Sequence, residues 1–391
     1  MLRHVSLLFL LLLAACARPA PGPEATSAFA TGAPDPAPAP EAKRLRVAML
    51  LPAGEATGLM LERAARLAVA DTHAPFELDV VDIGAGGERA ALAARRAVAD
   101  GAALLVGPVY ARDVEAVAAV ALPAGVPMLG FSSDTRRARG GVYSNAFTPE
   151  ADVRATLGHA VGLGSRHVVV FAPDGRYGEV VIAQARKTLG RLGAQVAFVA
   201  RTDGTPDGYR AAAHEAAIAV EGADTIYIPE GGRAPRAIMG QLAKAGTALG
   251  AKRLLGSGQW RDADLADARL DGALFAANDE RAFRTFAYRY EARHAQKPTA
   301  LAALAYDAVA AAVALARRSP GRPWTRAALE SAAGFQGATG LFRFRADGTV
   351  ERMLAIREVR DGAHEQVKVP APRFGNNLVL RTTGPLTTLG R

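Results

Sequence analysis

From residue 45 onward, short apolar or β-branched runs alternate with longer Ala-rich stretches of helical character. Such alternation predicts parallel strands covered by helices. Strands are expected at 46–51 (RVAMLL), 76–82 (FELDVVD), 103–107 (ALLVG), 126–131 (VPMLGF) and 167–172 (HVVVFA). Four more are expected at 194–200 (AQVAFVA), 225–229 (TIYIP), 253–256 (RLLG) and 273–277 (ALFAA). Helices are expected near 57–71, 88–100, 111–122, 149–162, 178–192, 208–221 and 234–246. Thr148-Pro149-Glu150 marks one helix start, with a hydroxyl to cap it, a proline in the first turn and an acid near the positive dipole end.

The alternation runs through four strands, pauses in an irregular stretch with Arg136, Arg137, Arg139 and Gly140-Gly141, and resumes after Phe147. Two α/β units in tandem are therefore expected. Helices dominate 280–333, and 341–362 (LFRFRADGTVERMLAIREVRDG) switches to a hairpin pattern around Asp347-Gly348, a strong turn signal. No stretch after the N-terminus is expected to reach the length of a membrane span.

Composition changes the picture mainly at the N-terminus. Cys16 is the only cysteine and ends an apolar run, 8–19 LFLLLLAACARP. Arg3 and His4 precede the run, Ala14 and Ala15 close it, and that order is the order of a signal peptide. At roughly 10 residues the run is too short to cross a bilayer, which takes about 20. A structural thiol in a core helix is the competing reading, and the flanks argue against it. Leu13-Ala14-Ala15-Cys16 resembles the lipobox of bacterial lipoproteins. The resemblance implies a signal peptide over 1–15, a lipid on Cys16 that anchors the chain to a membrane, and, from Ala17, the periplasmic face of the outer membrane rather than the inner one. Residues 16–44 then form a tether, Pro-, Ala- and Gly-rich and without apolar periodicity. Such a segment cannot bury enough surface to repay its ordering entropy, so it is expected to be a disordered leash.

The chain as a whole has an ordinary globular balance, 50% apolar and 22% charged, and its net charge of +9 comes mostly from Arg scattered among acids. No basic helix or aromatic-basic motif points to nucleic acid. Seven histidines lie without i, i+4 pairing, and His214-Glu215 is followed by Ala, Ala and Ile, so no HExxH metal helix is present. No GxSxG elbow occurs, and Gly256-Ser257-Gly258 reads as a strand-end turn. Gly84-Ala85-Gly86-Gly87 lacks the third glycine of a dinucleotide loop. An enzyme is thus disfavoured, with no catalytic residue, metal or cofactor expected.

The element order resembles that of the type 1 periplasmic binding proteins, the Leu/Ile/Val-binding superfamily, over nearly all of 45–362. The stretches that carry it are RVAMLLPAGEATG, ADGAALLVGPVYARDVEAVAAV, VPMLGFSSD, HVVVFAPDGRYGE, LAYDAVAAAVALA and FQGATGLFRFRADGTV. The resemblance implies an α/β fold of two Rossmann-like lobes facing each other across a cleft, joined by a three-segment hinge. Lobe one would span 45–147 plus 279–336, and lobe two 148–278 plus 337–391. GAALLVGPVYARDVEAVA, ADTIYIPEGG and GATGLFRF followed by RMLAIREVRDG also look like penicillin-binding-protein activator lipoproteins. That branch implies a non-catalytic activator whose partner is a penicillin-binding protein, a peptidoglycan synthase. The best-known activators carry a further N-terminal helical-repeat domain, which has no counterpart here. The alternative is a substrate-binding lipoprotein serving an ABC permease, for branched-chain amino acids, amides or a related small solute.

Open parallel sheets bind ligands outside the carboxyl ends of their strands. The candidates are Tyr110, Ser132, Ser133 and Asp134 in lobe one, and Tyr177, Glu230, Gln259 and Trp260 in lobe two. The resemblance implies that hydroxyls after the third and fourth strands hold a ligand carboxylate and that a lobe-two acid holds an ammonium. Ser132 and Ser133 suit the first role, but Tyr-Ala-Arg follows the third strand. The place for the acid falls at Gly258 and Gln259, which are uncharged, with Glu230 or Asp262 as unplaced substitutes. An ammonium buried without a counter-charge costs several kcal/mol, so an amino-acid site is expected to be incomplete. The competing reading of Ser132–Asp134 is a polar turn that caps the next element, and of Tyr177 a ring packed between lobes.

Overall fold

The computed structural model describes residues 44–84, 86–374 and 380–381. Cys16, the signal peptide and all of the tether except Arg44 lie outside the described residues.

The first lobe is built from β1 (Leu45–Leu51), α1 (Ala56–Thr72), β2 (Phe76–Asp82), α2 (Gly87–Ala99), β3 (Ala102–Val106), α3 (Ala111–Ala121), β4 (Met128–Gly130) and β5 (Val142–Ser144). Its sheet runs β2-β1-β3-β4-β5, all parallel. Along β1, Val47, Met49 and Leu51 enter one core while Ala48 and Leu50 enter the other. Both faces of the strand are covered, which is why it reads as an unbroken apolar run. Strand β5 and the 3₁₀ turn at Thr135–Arg137 occupy the stretch that the pattern leaves irregular.

The chain then enters the second lobe: α4 (Pro149–Gly162), β6 (His167–Pro173), α5 (Arg176–Arg191), β7 (Gln195–Thr202), α6 (Pro206–Gly222), β8 (Thr225–Tyr227), α7 (Ala234–Lys244), β9 (Arg253–Leu255) and β10 (Leu274–Ala277). Val169 and Phe171 of β6 pack under α6 and α7, and Val168 and Val170 under α4 and α5. Thr148 is the N-cap of α4 by backbone conformation, but its hydroxyl makes no capping hydrogen bond.

The chain returns to the first lobe with α8 (Glu280–His294), α9 (Ala300–Arg318), α10 (Arg326–Leu329) and β11 (Phe335–Gly337). Contrary to the sequence expectation, α9 is long and apolar enough to cross a membrane. Its burial explains the composition, since residues from Ala302 to Ala316 form the centre of the first-lobe core.

The C-terminal segment corrects the expected boundary at 337. β12 (Gly340–Phe344) pairs with β11 and β13 (Val350–Arg352) with β12, not with the second lobe, in a sheet completed by β16 (Leu380–Arg381) on the other side of β11. Phe342, Phe344 and Val350 belong to the first-lobe core, and the Phe344 ring lies 5.2 Å from Tyr143. The turn at Gly348 seats against β5. Ser144 N–H donates to its carbonyl at 2.8 Å, and a Cβ there would fall 2.4 Å from the Val142 oxygen. Only β14 (Ala355–Arg360) and β15 (Ala363–Lys368) join the second lobe, antiparallel, in the order β15-β14-β10-β9-β8-β6-β7. The chain therefore passes between lobes after Ser144, after Ala277 and after Arg352.

Candidate functional site

A cavity of about 370 Å³ opens where these three passages run side by side. Phe147, Thr148 and Pro149 come from the first passage, Ala277 and Asn278 from the second, and Arg352 and Leu354 from the third. The second lobe adds Asp152 from the first turn of α4, Tyr177 from the first turn of α5, and Gly258, Gln259, Arg261 and Asp262 from the turn after β9. Ala300, at the start of α9, is the first-lobe contribution.

Asp152 is the chemically distinctive group. Its Oδ2 accepts from the Gly258 N–H at 3.2 Å, so a carboxyl stands at the turn where the sequence offers none. Burial pushes its pKa up to about 7, against the pull of that N–H. Tyr177 donates its hydroxyl to the Pro229 carbonyl at 3.1 Å, and burial pushes it up to about 12. Nearby, the Tyr227 hydroxyl and Asn278 Oδ1 are buried without a hydrogen-bond partner among the described residues. Of the two, Asn278 lines the cavity and Tyr227 does not. The Asp152 carboxyl and the Asn278 side-chain oxygen are both acceptors, which suits an incoming N–H or ammonium group.

The wall at Arg352 is rigid. Its guanidinium is 1% exposed, donates to Thr339 Oγ1 and to Asn145 Oδ1 at 2.6 Å each, and reaches the Ala146 carbonyl at 3.3 Å. Asp307, fully buried on α9, lies 3.9 Å away and accepts from the Ala338 and Thr339 N–H groups and the Thr339 hydroxyl. Burial lowers the Arg352 pKa and raises that of Asp307, and each charge partly offsets the other's shift.

Of the sequence candidates, Tyr177 and Gln259 line this cavity. Gln259 also receives the Gly231 N–H on Oε1 at 3.2 Å. Trp260 is instead fully buried in the second-lobe core, with Nε1 donating to the Ile228 carbonyl at 2.9 Å. Glu230 turns toward α6 and β7, accepting from the Tyr209 hydroxyl at 2.7 Å and from Thr202 Oγ1 at 3.2 Å. Neither lines the cavity. Ser132 and Asp134 form the polar turn: Asp134 N–H donates to Ser132 Oγ at 3.1 Å, and Asp134 caps the 3₁₀ turn and pairs with Arg136. That pairing holds the Asp134 carboxyl down at about 2. Ser133 is exposed. Tyr110 donates to Glu55, and Arg112 lies over its ring at 4.3 Å. Tyr110, Ser133 and Asp134 do not reach the cavity between the passages. Sequence reasoning missed Asp152, Asn278 and Arg352, although Asp152 carries a visible signal as an acid in the first turn of a helix that opens the second lobe.

The profile of the periplasmic binding protein family matches residues 46–363. The chain belongs to this family. Among solved structures, a putative branched-chain amino acid ABC transporter from Rhodospirillum rubrum superposes with a TM-score of 0.70 at 21% identity, covering 83% of this chain and 100% of the other. A branched chain amino acid ABC transporter periplasmic ligand-binding protein from Burkholderia xenovorans gives 0.64 at 18%, covering 84% and 96%. A leucine binding protein from Thermotoga maritima gives 0.53 at 23%, covering 84% and 99%. No curated protein matches the chain. At these identities the likeness carries the fold, and what this periplasmic binding protein binds has to be argued from its own residues.

Proposed function

We propose that this chain is the non-catalytic solute-binding component of an ABC importer, held at a membrane by lipid on Cys16, and that its solute presents an amino or amide N–H group. The observation that carries the reading is Asp152 beside Gly258, which supplies a carboxyl at the point where an amine-bearing ligand needs one. The unpartnered Asn278 Oδ1 offers a second acceptor nearby. The similar structures support importer service over activation of a peptidoglycan synthase, since those compared above are transporter or amino-acid-binding proteins. Activation through a penicillin-binding protein, and with it outer-membrane anchoring, remains the competing proposal, supported by the lipobox and leash.

The lobe-one face departs from an amino-acid receptor. Tyr110, whose hydroxyl donates to Glu55, stands after β3 at the position where small hydroxyls would meet a carboxylate. An amine or amide with a modest carboxylate contribution fits better than a dicarboxylate. A thermal-shift screen of amino acids, amides and simple carboxylates tests the reading. A ligand at one hundred times its dissociation constant adds about 2.7 kcal/mol of stability. Stabilisation by amine or amide solutes that Asp152→Asn abolishes is expected. Response to carboxylates alone, or capture of a penicillin-binding protein from envelope extracts with no permease, would sink the importer reading.

A further inference from the structure

A second cavity, of about 500 Å³, lies between the lobes and shares only Thr148 with the first. We propose that it binds an anion carrying two or more negative charges on phosphate-type oxygens. Its walls bring together Arg154 of α4, Lys187 and Arg191 of α5, and Arg345 at the end of β12, against two carboxylates, Glu150 and Asp347. On α5 the lining residues Val180, Ala183, Gln184, Lys187 and Arg191 recur every three or four positions, so a single helical face is presented to the space.

The protein neutralises these cations only in part, setting Glu150, Asp347 and the neighbouring Glu351 against four positive side chains. Arg345 pairs with Glu351 at 2.9 Å, but Arg154, Lys187 and Arg191 have no carboxylate within ion-pair distance among the described residues. Each acid on the wall accepts hydrogen bonds on one oxygen, while the second oxygen of Glu150, Oε2, is buried without a partner among the described residues. Glu150 Oε1 accepts from Thr135 Oγ1 at 3.0 Å, and Asp347 Oδ1 accepts from the N–H and hydroxyl of Thr349 at 3.0 and 2.6 Å. Arg154 is only partly exposed, and a guanidinium drawn out of water without a partner is costly. Lys187 and Arg191 stand one turn apart on the same face, where like charges repel. An anion in the cavity relieves all of these costs at once.

Phosphate-type groups meet the arrangement best. Arginine forks and a lysine point charge, arriving from two helices and a hairpin, need an acceptor with oxygens in several directions. A planar carboxylate offers them in one plane. Because α4 and α5 belong to one lobe and Arg345 to the other, the bound anion would touch both. A soluble phosphorylated solute and the phosphate of a lipid head group share this chemistry.

The test uses the mature chain with Lys187→Gln and Arg191→Gln combined, both exposed positions where the fold tolerates change. Pyrophosphate is titrated by calorimetry at constant ionic strength. Phosphatidylglycerol and phosphatidylcholine vesicles are compared in parallel by co-sedimentation. Saturable pyrophosphate binding weakened at least tenfold in the double variant assigns a soluble ligand. Preference for the phosphatidylglycerol vesicles that the double variant loses, without pyrophosphate binding, assigns a head group. Either outcome requires the variant to keep the wild-type unfolding temperature in the absence of anion and its response to cleft solutes. No saturable binding and no vesicle preference, or equal responses of variant and wild type, overturns the proposal.

Discussion

Arg352 Nη2 donates to Asn145 Oδ1 at 2.6 Å, and 207 residues of sequence separate the two. The bond ties the third passage between lobes to the first. Asn145 in turn donates to the Leu304 carbonyl on α9 at 2.9 Å, so the hinge is anchored to the most buried helix of the first lobe. Replacing Arg352 with methionine strands Asp307 as an unpaired buried carboxyl and leaves Asn145 without its donor. Breaking a buried pair from one side costs about 3–5 kcal/mol. Urea unfolding of Arg352→Met is expected to show a loss of that order. Adding Asp307→Asn, which removes the stranded charge, should recover a large part of it. A double variant no more stable than the single one would show that the ion pair is not what Arg352 contributes.

Asp152 makes stability depend on pH in a direction opposite to that of a salt-bridged acid. Its pKa is about 7 in the fold against 3.8 in the unfolded chain, so between those values the native state holds a proton that the unfolded state has released. Stability from this group is full below about pH 4 and declines as pH rises toward 7. Each unit of difference is worth about 1.4 kcal/mol, so Asp152→Asn should gain on the wild type by up to about 3 kcal/mol between pH 5 and 8. Urea titrations of both proteins at intervals across that range measure the gain. Parallel curves would place the Asp152 carboxyl in water.

The same titration governs solute capture. A cationic amine gains from Asp152 only when the carboxyl is ionised, so affinity should strengthen as pH rises from 5 to 7, by up to tenfold per unit, and level off above. Calorimetric titration with a responding amine at four pH values reads this directly. Flat affinity across the range would remove Asp152 from the recognition of that solute.

The strands were legible because both lobes bury their sheets on two faces, which leaves runs such as RVAMLL and HVVVFA with no polar residue in the middle. What pattern could not fix was the direction of side chains leaving a strand end. Trp260 follows Gly256-Ser257-Gly258 and looks free to reach the cleft. Its indole instead folds back over Gly256, where a Cβ would fall 2.3 Å from the ring, and the glycine is what makes room. Asp152 was hidden for a different reason. An acid in the first helical turn ordinarily complements the dipole, and only the approach of Gly258, 106 residues later, gives it another use. The hairpin around Asp347-Gly348 lies in the first lobe and not the second because Phe342 and Phe344, whose alternation suits either sheet, find space in the first-lobe core, and sequence does not say which core has that space.

Trp260→Phe separates core packing from ligand contact. The exchange keeps most of the ring volume but leaves the Ile228 and Glu230 carbonyls without the indole N–H, which reaches them at 2.9 and 3.1 Å. Unsatisfied buried acceptors cost about 1–3 kcal/mol. Stability should fall by that amount while solute affinity changes less than twofold. A larger loss of affinity than of stability would return Trp260 to the cleft.

Two glycines on α5 should respond to alanine with opposite signs. Gly178 sits in the first turn, directly after Tyr177, and a Cβ there would lie 1.8 Å from the Pro173 carbonyl oxygen at the end of β6. Backbone cannot yield as a side chain can, so the helix start must move, and overpacking of this kind costs about 1–3 kcal/mol. Tyr177 moves with it, and the cavity loses its shape. Gly190, near the other end of the same helix, has nothing within 4 Å of its Cβ position among the described residues. There alanine restricts the unfolded chain without a clash and should stabilise by about 0.4–1 kcal/mol. Gly178→Ala is therefore expected to lower the unfolding temperature and weaken solute binding, and Gly190→Ala to raise the temperature and leave binding unchanged. Gly58 repeats the close approach in the first lobe, with its Cβ position 2.1 Å from the Pro52 oxygen, so Gly58→Ala should destabilise as Gly178→Ala does. Shifts of the same sign at 178 and 190 would mean that the tight strand-to-helix connection does not fix where Tyr177 stands.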